Sequence, residues 1–289
     1  VWEPLLHGKF GASAEAVSAA WLWAKLVDRG GSRTRRGHEV LGYLQGGLGR
    51  VFDALVTWLR QHGHEVHLGQ RVQRLEVTDM RISALVTDMG VVVPDLVVGC
   101  AQVPDLAALL PDSAAAYRQQ LQRIKFLANV CLVLTLKHSL SEFYWTNVTD
   151  PAAPFVGIIE QTNWADSLDF YGKHIVYLSA YVEQHDPRLT MSAAQLVRHY
   201  LPYITALFPE FTPDAIEAQT VWTAPYAQPI VHVGYRHDIP QIVTPIQNFF
   251  VCTMAQIYPH DRQVSNGVAL ARQTAGIVAK AFRDPQKRS

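Results

Sequence analysis

The chain is 289 residues long, 49% hydrophobic, and balances 25 basic against 25 acidic side chains. That is enough apolar material for one large core or two smaller ones, and the neutral balance argues against a footprint for nucleic acid or an anionic membrane. No apolar run reaches the ~20 residues of a membrane helix, no signal peptide is visible, and Cys100, Cys131 and Cys252 each sit in an apolar run, so they read as buried free thiols of a reducing, cytoplasmic setting.

Residues 1–29 read as helical. Trp2, Leu5 and Leu6 precede a Gly8–Gly11 turn, and Ser13 is placed to cap a helix with Ala16, Val17, Ala20, Trp21, Trp23, Ala24 and Leu26 as apolar positions. Gly30 and Gly31 end it. The basic run at Arg33, Arg35 and Arg36 reads as a solvated loop, with an anion contact as the alternative. The segment Leu41–Gly49 is glycine-rich but has neither GxGxxG order after a strand nor a P-loop lysine. Its glycines turn the chain into a helix over Arg50–Gln61. His62, His64 and His67 are close in sequence, yet Gly63 breaks the helix, and His64 and His67 fall on opposite faces of a strand. That spacing speaks against a metal site.

Strands are predicted at Glu65–Leu68, Val72–Val77, Ile82–Val86 and Val91–Val98. A short helix follows at Pro104–Leu110 and another at Ser113–Arg123. A second β section comprises Ala128–Leu136, Phe155–Ile159, His174–Val182 and Glu217–Trp222, with an amphipathic helix at Ser192–Phe208. Pro225, Pro229 and Pro240 make the return irregular. The apolar run Phe249–Cys252 is a buried strand, a polar loop carries Pro259 and Asp261, and a last helix starts near Ser265. Strand, loop and helix N-terminus in this order bring backbone N–H groups up to an electron-rich ligand. The pattern predicts an α/β chain of mixed α+β character.

Five segments together resemble the flavin-dependent amine oxidase, protoporphyrinogen oxidase and phytoene desaturase-like oxidoreductases. The glycine pair Gly46-Gly47 leads into a helix. Gly63–Leu75 is similar to the family's paired strands around a valine. Asp95–Pro104 resembles its aDxVVxxxP strand. Asn248–Phe282 resembles its closing flavin motif, and Trp222–Tyr235 is a looser match before it. The resemblance implies a substrate domain with a mixed, largely antiparallel sheet and helices. It also implies the returning strands and C-terminal helix of an FAD-binding Rossmann-like domain. The expected division is 1–62 helical segment and glycine-pair helix, 63–112 strands of the FAD domain, 113–245 substrate-binding domain, and 246–289 the returning strand and helix.

The same resemblance implies site residues. The backbone of Val72 would meet the adenine, and Asn266, Gly267 and Val268 would bring backbone N–H groups to the flavin. Relatives carry Gly-Asp after the final strand, where this chain has Thr253 and Met254; Asp261 is the alternative polar contact. Nothing before Leu41 supplies the strand–GxGxxG–helix unit that cradles the pyrophosphate. The expectation is therefore the C-terminal portion of a larger flavoprotein, binding FAD poorly by itself and partnered by a missing N-terminal Rossmann portion.

Substrate-facing candidates are aromatic: Tyr144, Trp145, Trp164, Tyr177, Tyr181, Trp222 and Tyr226, with Asn163 and Gln161 flanking Trp164 in a loop. Lys125, Lys137 and Lys173 are the candidate flavin-side lysines, and no acid–base pair stands out. The expected activity is hydride transfer from a small organic substrate to flavin. The alternatives are a flavin-dependent sugar-nucleotide mutase, whose diphosphate would need Arg33, Arg35 and Arg36, or a non-catalytic domain pairing with a separate Rossmann chain.

Overall fold

The computed structural model describes residues 2–31 and 42–283. The basic run at Arg33, Arg35 and Arg36, and Leu41, lie outside the described residues. In chain order come α1 (Trp2–Phe10), α2 (Ala19–Gly31) and α3 (Gly49–Gln61), then β1 (Val72–Thr78), β2 (Arg81–Thr87), β3 (Gly90–Val92) and β4 (Val97–Gly99). Helices α4 (Val103–Leu109) and α5 (Ala115–Leu121) lead into β5 (Phe126–Leu136), β6 (Trp145–Asn147), β7 (Gly157–Glu160) and β8 (His174–Val182). Then come α6 (Ala193–Leu207), β9 (Ile216–Pro229), β10 (Phe249–Val251) and α7 (Val264–Arg283). These belong to two compact units, one of Val1–Val17, Leu41–Thr57 and Phe126–Ile230, the other of Ser18–Val40, Trp58–Lys125 and Val231–Ser289.

The first unit is built on a five-stranded antiparallel sheet in the order β6-β7-β8-β5-β9. Strict alternation in β5 and β8 turns Ala128, Val130, Leu132, Leu134, Leu136, Val176, Leu178 and Ala180 to one face. There α6 lays down Leu196, Tyr200 and Ile204, and the contact of helix on sheet forms the core. Helix α6 starts on a capping box: Gln195 N–H donates to Ser192 Oγ and Ser192 N–H to Gln195 Oε1.

The second unit holds the antiparallel sheet β1-β2-β3 and the parallel pair β4–β10. Asn248, fully buried, staples them. Its Oδ1 accepts from Ile82 N–H at 2.7 Å, and its Nδ2 donates to Ile82 C=O at 2.9 Å and Asp95 C=O at 3.3 Å. Gly99 is required by close approach: a Cβ there would lie 2.9 Å from Leu106 Cδ2 and 3.0 Å from the Phe249 ring.

Several expectations need correction. Gly8 and Lys9 continue α1 instead of forming a turn, because the missing side chain at Gly8 lets the helix sit against Val156, 3.3 Å from where a Cβ would be. The turn falls at Gly11–Ala16, so Ser13 caps nothing, and Ser18 Oγ accepts from Ala20 N–H at the start of α2 instead. Residues 65–68 form no strand: Gly63 and Gly69, both with positive φ, bracket them, and His67 pairs locally with Glu65. The predicted strand Val91–Val98 is two strands with different partners, parted at Pro94, which has no N–H to offer a ladder. The helix predicted over Ser113–Arg123 is a 3-10 turn, Asp112–Ala114, followed by α5.

Strand β9 runs well past Trp222. It is an edge strand, so Pro225 is tolerated at a register shift opposite Leu127–Asn129, and its carbonyl accepts from Gln184 Nε2. The thiols are not buried: Cys100 is exposed and Cys131 and Cys252 are half-buried. Cys131 points to the sheet face opposite α6, and the other two sit just past strand ends.

Candidate functional site

Each unit presents one group of residues suited to a ligand. In the first it is the face of the sheet that α6 does not cover. Across the five strands Trp145, Ile159, Tyr177, Val133 and Thr220 stand opposite one another in a row. The neighbouring row reads Asn147, Gly157, Ser179, Cys131 and Trp222. Residues directly opposite share a face, so the alternation that builds the core delivers this second surface automatically. Neither row contains a charged side chain. Trp222 remains 68% exposed and Trp145 51% exposed, so large aromatic area is open to a partner molecule.

Beside β6 and β7 lies an aromatic cluster. The Trp164 ring stands 5.0 Å from Tyr144 and, edge-on, 5.3 Å from Tyr43. Burial pushes the Tyr177 hydroxyl above its ordinary value, reinforced by Cys131, Tyr43 and Tyr144 around it; burial raises Tyr144 too. Burial also pushes the Cys131 thiol up to about 11. The Tyr144 and Tyr177 hydroxyls and the Cys131 thiol are therefore held neutral, able to donate hydrogen bonds without carrying charge.

Asn163 is spent on the scaffold. Its Nδ2 donates to Ser141 C=O at 2.7 Å and Phe143 C=O at 3.1 Å, and its Oδ1 accepts from Ser139 Oγ. Glu160, buried at 2%, anchors the same loop, accepting from Ser139 Oγ, Ser141 Oγ and Leu140 N–H. Together they hold Tyr144 beside Trp164. Tyr226 lies apart, its ring edge-on to Phe126 at 5.9 Å. Lys9 Nζ, which the residue pattern did not single out, is 5.9 Å from the centre of the Tyr181 ring. Gln161 opens the short 3-10 turn that carries Asn163. Lys173 is paired with Glu217 at 2.8 Å, while Lys137 is exposed just past β5.

In the second unit the group is the segment between β10 and α7. Met254 follows Thr253 into a 3-10 turn, and its Sδ lies 3.3 Å from where a Gly267 Cβ would be. The first intrahelical bond of α7 runs from Gly267 N–H to Gln263 C=O at 3.1 Å. The Gly267 amide is thus committed to the helix, and the amides of Val264, Ser265 and Asn266 precede that bond, where the positive end of the helix dipole lies. Val268 is exposed, one residue further along. Asn266 uses its side chain locally, donating to Asp261 C=O at 3.0 Å.

Asp261 is not a free carboxylate. Lys25 Nζ pairs with it at 2.7 Å, and its other oxygen accepts from Arg262 N–H. Two more links join α2 to the same loop, Ser18 Oγ to Tyr258 Oη at 2.7 Å and Asp28 to His260 Nδ1 at 3.1 Å. Thr253 Oγ1 is buried without a hydrogen-bond partner. Val72 opens β1, an edge strand, opposite Thr87, and Lys125 is exposed at the end of this unit's middle segment. Among the described residues no group of three potential ligands gathers for a metal, and no helix is long and apolar enough to cross a membrane.

Residues 3–269 match the family described as flavin containing amine oxidoreductase. A putative protoporphyrinogen oxidase from Exiguobacterium superposes with a TM-score of 0.72 at 15% identity, over 96% of this chain and 63% of that one. A reduced UDP-galactopyranose mutase gives 0.73 at 11% identity, over 100% and 66%. An oxidoreductase from Methanosarcina mazei gives 0.60 at 19%, over 80% and 54%. The chain thus spans between about half and two thirds of the solved structures it matches, and at these identities the likeness is one of fold. No curated protein matches the chain.

Proposed function

The chain belongs to the flavin-containing amine oxidoreductase family, and from that premise we propose that it is the C-terminal portion of an FAD-dependent oxidoreductase acting on an uncharged or weakly polar organic substrate. FAD, when bound, supplies the hydride acceptor. The residues present suit part of such a group. The buried, unpartnered Thr253 Oγ1 and the leading amides of α7 are donors held ready for an acceptor-rich polar edge. Their part is to hold negative charge at the helix N-terminus, with the loop fixed by Lys25, Asp28 and Ser18 from α2.

In this reading the sheet of the first unit is the substrate domain, and β4, β10 and α7 are the returning elements of the FAD-binding domain. The edge of β1 at Val72 is the place for an adenine contact. The cradle for the pyrophosphate comes from a separate strand–GxGxxG–helix portion, as the partial coverage of the matched structures suggests. The observation that carries the substrate reading is the open sheet face of Trp145, Tyr177 and Trp222, whose two rows carry no charge. These side chains bind and orient a planar apolar molecule and exclude water from it.

The test compares the purified chain with the chain assembled with a complementing Rossmann-type portion. Flavin absorbance and substrate-dependent reduction are expected only in the assembled form. Stoichiometric FAD in the chain alone would overturn the complementation, and an assembled form that binds FAD but reduces it with no apolar amine or polycyclic donor would overturn the oxidoreductase reading.

A second reading is a flavin-dependent sugar-nucleotide mutase, favoured by the superposition of this chain on about two thirds of a UDP-galactopyranose mutase. It predicts tight nucleotide-sugar binding to the reduced assembled protein. The two rows of the sheet face carry no charged side chain, and that supports the first reading instead.

A further inference from the structure

We propose that Cys100 and Cys252 form a redox-active thiol pair, a modification site at which a low-molecular-weight disulfide converts the chain to an intramolecular Cys100–Cys252 disulfide. The pairing follows from strand register. In the parallel pair β4–β10, Val251 stands opposite Gly99, and the next residue on each strand is a cysteine. The register persists at that step, because Cys252 N–H donates to Gly99 C=O at 3.0 Å. Neighbouring parallel strands lie about 4.8 Å apart, and a disulfide spans Cα separations of roughly 4.4–6.8 Å.

Side-chain direction agrees. The space beside Gly99 is filled by Leu106 and Phe249, so one face of the pair is packed. The next position on each strand turns to the other face, and the two cysteines share it. The Cys100 thiol is raised above its ordinary value first by burial and then by Cys252, as a neighbouring charge and as a hydrogen-bond partner. That influence requires the two sulfurs to be close. Cys100 is exposed and Cys252 half-buried, so a reagent meets Cys100 first and Cys252 resolves. Cys131 belongs to the other unit.

The chemistry balances without a further reagent. The Cys100 thiolate attacks one sulfur of the small disulfide, whose S–S bond breaks and releases a thiolate that takes up a proton. Cys252 then gives up its proton and attacks Cys100 Sγ, and the second small thiolate leaves. Two protein thiols are oxidised and one small disulfide is reduced to two thiols. Because the Cys100 thiol is held protonated, the first step is slow at neutral pH and speeds up as pH rises. The product ties together the C-terminal ends of β4 and β10, and the Thr253–Gln263 segment departs from the second of them. The inference rests on this pairing alone and holds whether or not the chain binds a flavin.

The test incubates the folded full chain with oxidised glutathione at about pH 8, then counts thiols after denaturation and maps peptides. The expected result is a fall from three free thiols to one, a peptide linking residues 100 and 252, reversal by dithiothreitol, and a higher Tm for the oxidised form. Cys131→Ser should behave like the parent, and Cys252→Ser should stop at a glutathione adduct on Cys100. Adducts on Cys100 in the parent chain without the cross-link, or a cross-link that appears only after unfolding, would overturn the pairing.

Discussion

At the scale of single residues the fold depends on a few buried polar side chains. Asn248 satisfies both backbone groups of Ile82 from a fully buried position. Asn248→Ala strands that N–H and C=O away from water, so it should destabilise the chain by about 2–4 kcal/mol, read as a lower urea midpoint; a change under about 0.5 kcal/mol would deny the staple its role. Asp186 gives a pH signature. The side-chain hydrogen bonds from Arg188 hold its carboxyl below the usual range, against desolvation, which pushes upward. A carboxylate depressed in the folded state stabilises it above the unfolded pKa of about 3.9, and the contribution is lost as pH falls through the depressed value. Asp186→Asn should lower stability at neutral pH and flatten the fall in stability on the acid side, with the two proteins converging at low pH; parallel stability–pH curves would contradict this. Neither role was legible in the sequence. Both Asn248 and Asp186 find their meaning in partners that periodicity does not reveal. Of the aromatic candidates, alternation along β8 fixes the face of Tyr177, while Tyr144 and Trp164 reach each other from the loops that flank β6 and β7.

Among elements, legibility tracked length and period. The long strands β5 and β8 and the helix α6 are readable almost to the residue, because each carries many turns or alternations of one pattern and α6 announces its start with Ser192. Ser192→Ala should cost about 1 kcal/mol, seen as a small drop in Tm without change of fold; no drop would mean that the capping box is decorative. Short pieces misled. The four residues at 65–68 alternate but have no neighbour to pair with, and Val91–Val98 reads as one strand only if Pro94 is ignored. What no pattern could show is the clasp of α2 on the segment before α7. Its partners, Ser18 with Tyr258, Lys25 with Asp261 and Asp28 with His260, lie over two hundred positions apart in the chain. Lys25→Ala removes the central link, so the amides of residues 258–263 should exchange with solvent faster while those of β5 and β8 stay protected; uniform exchange changes or none would count against a local clasp.

For the whole molecule the decisive feature is a helix that is left largely uncovered by the described residues. Helix α3 has no buried residue among its thirteen. Val51, Phe52, Leu55 and Trp58 line it at helical spacing, and Phe52 is 54% and Leu55 52% exposed. An apolar stripe of this size on a chain that otherwise folds two good cores is a surface built to be covered. The glycines before it, Gly46 and Gly47, both take positive φ, so the turn into α3 is specified as closely as the helix itself. In the proposed assembly the complementing Rossmann-type portion covers it. The double variant Phe52→Glu with Leu55→Glu separates the stripe from the fold. It removes no buried contact, so the Tm of the isolated chain should stay within a degree or two of the parent's. The same change should suppress concentration-dependent self-association in sedimentation and weaken assembly with the complementing portion at least tenfold, which is about 1.4 kcal/mol. A large loss of Tm would show that the stripe is core to this chain; unchanged assembly with unchanged Tm would show that the partner sits elsewhere.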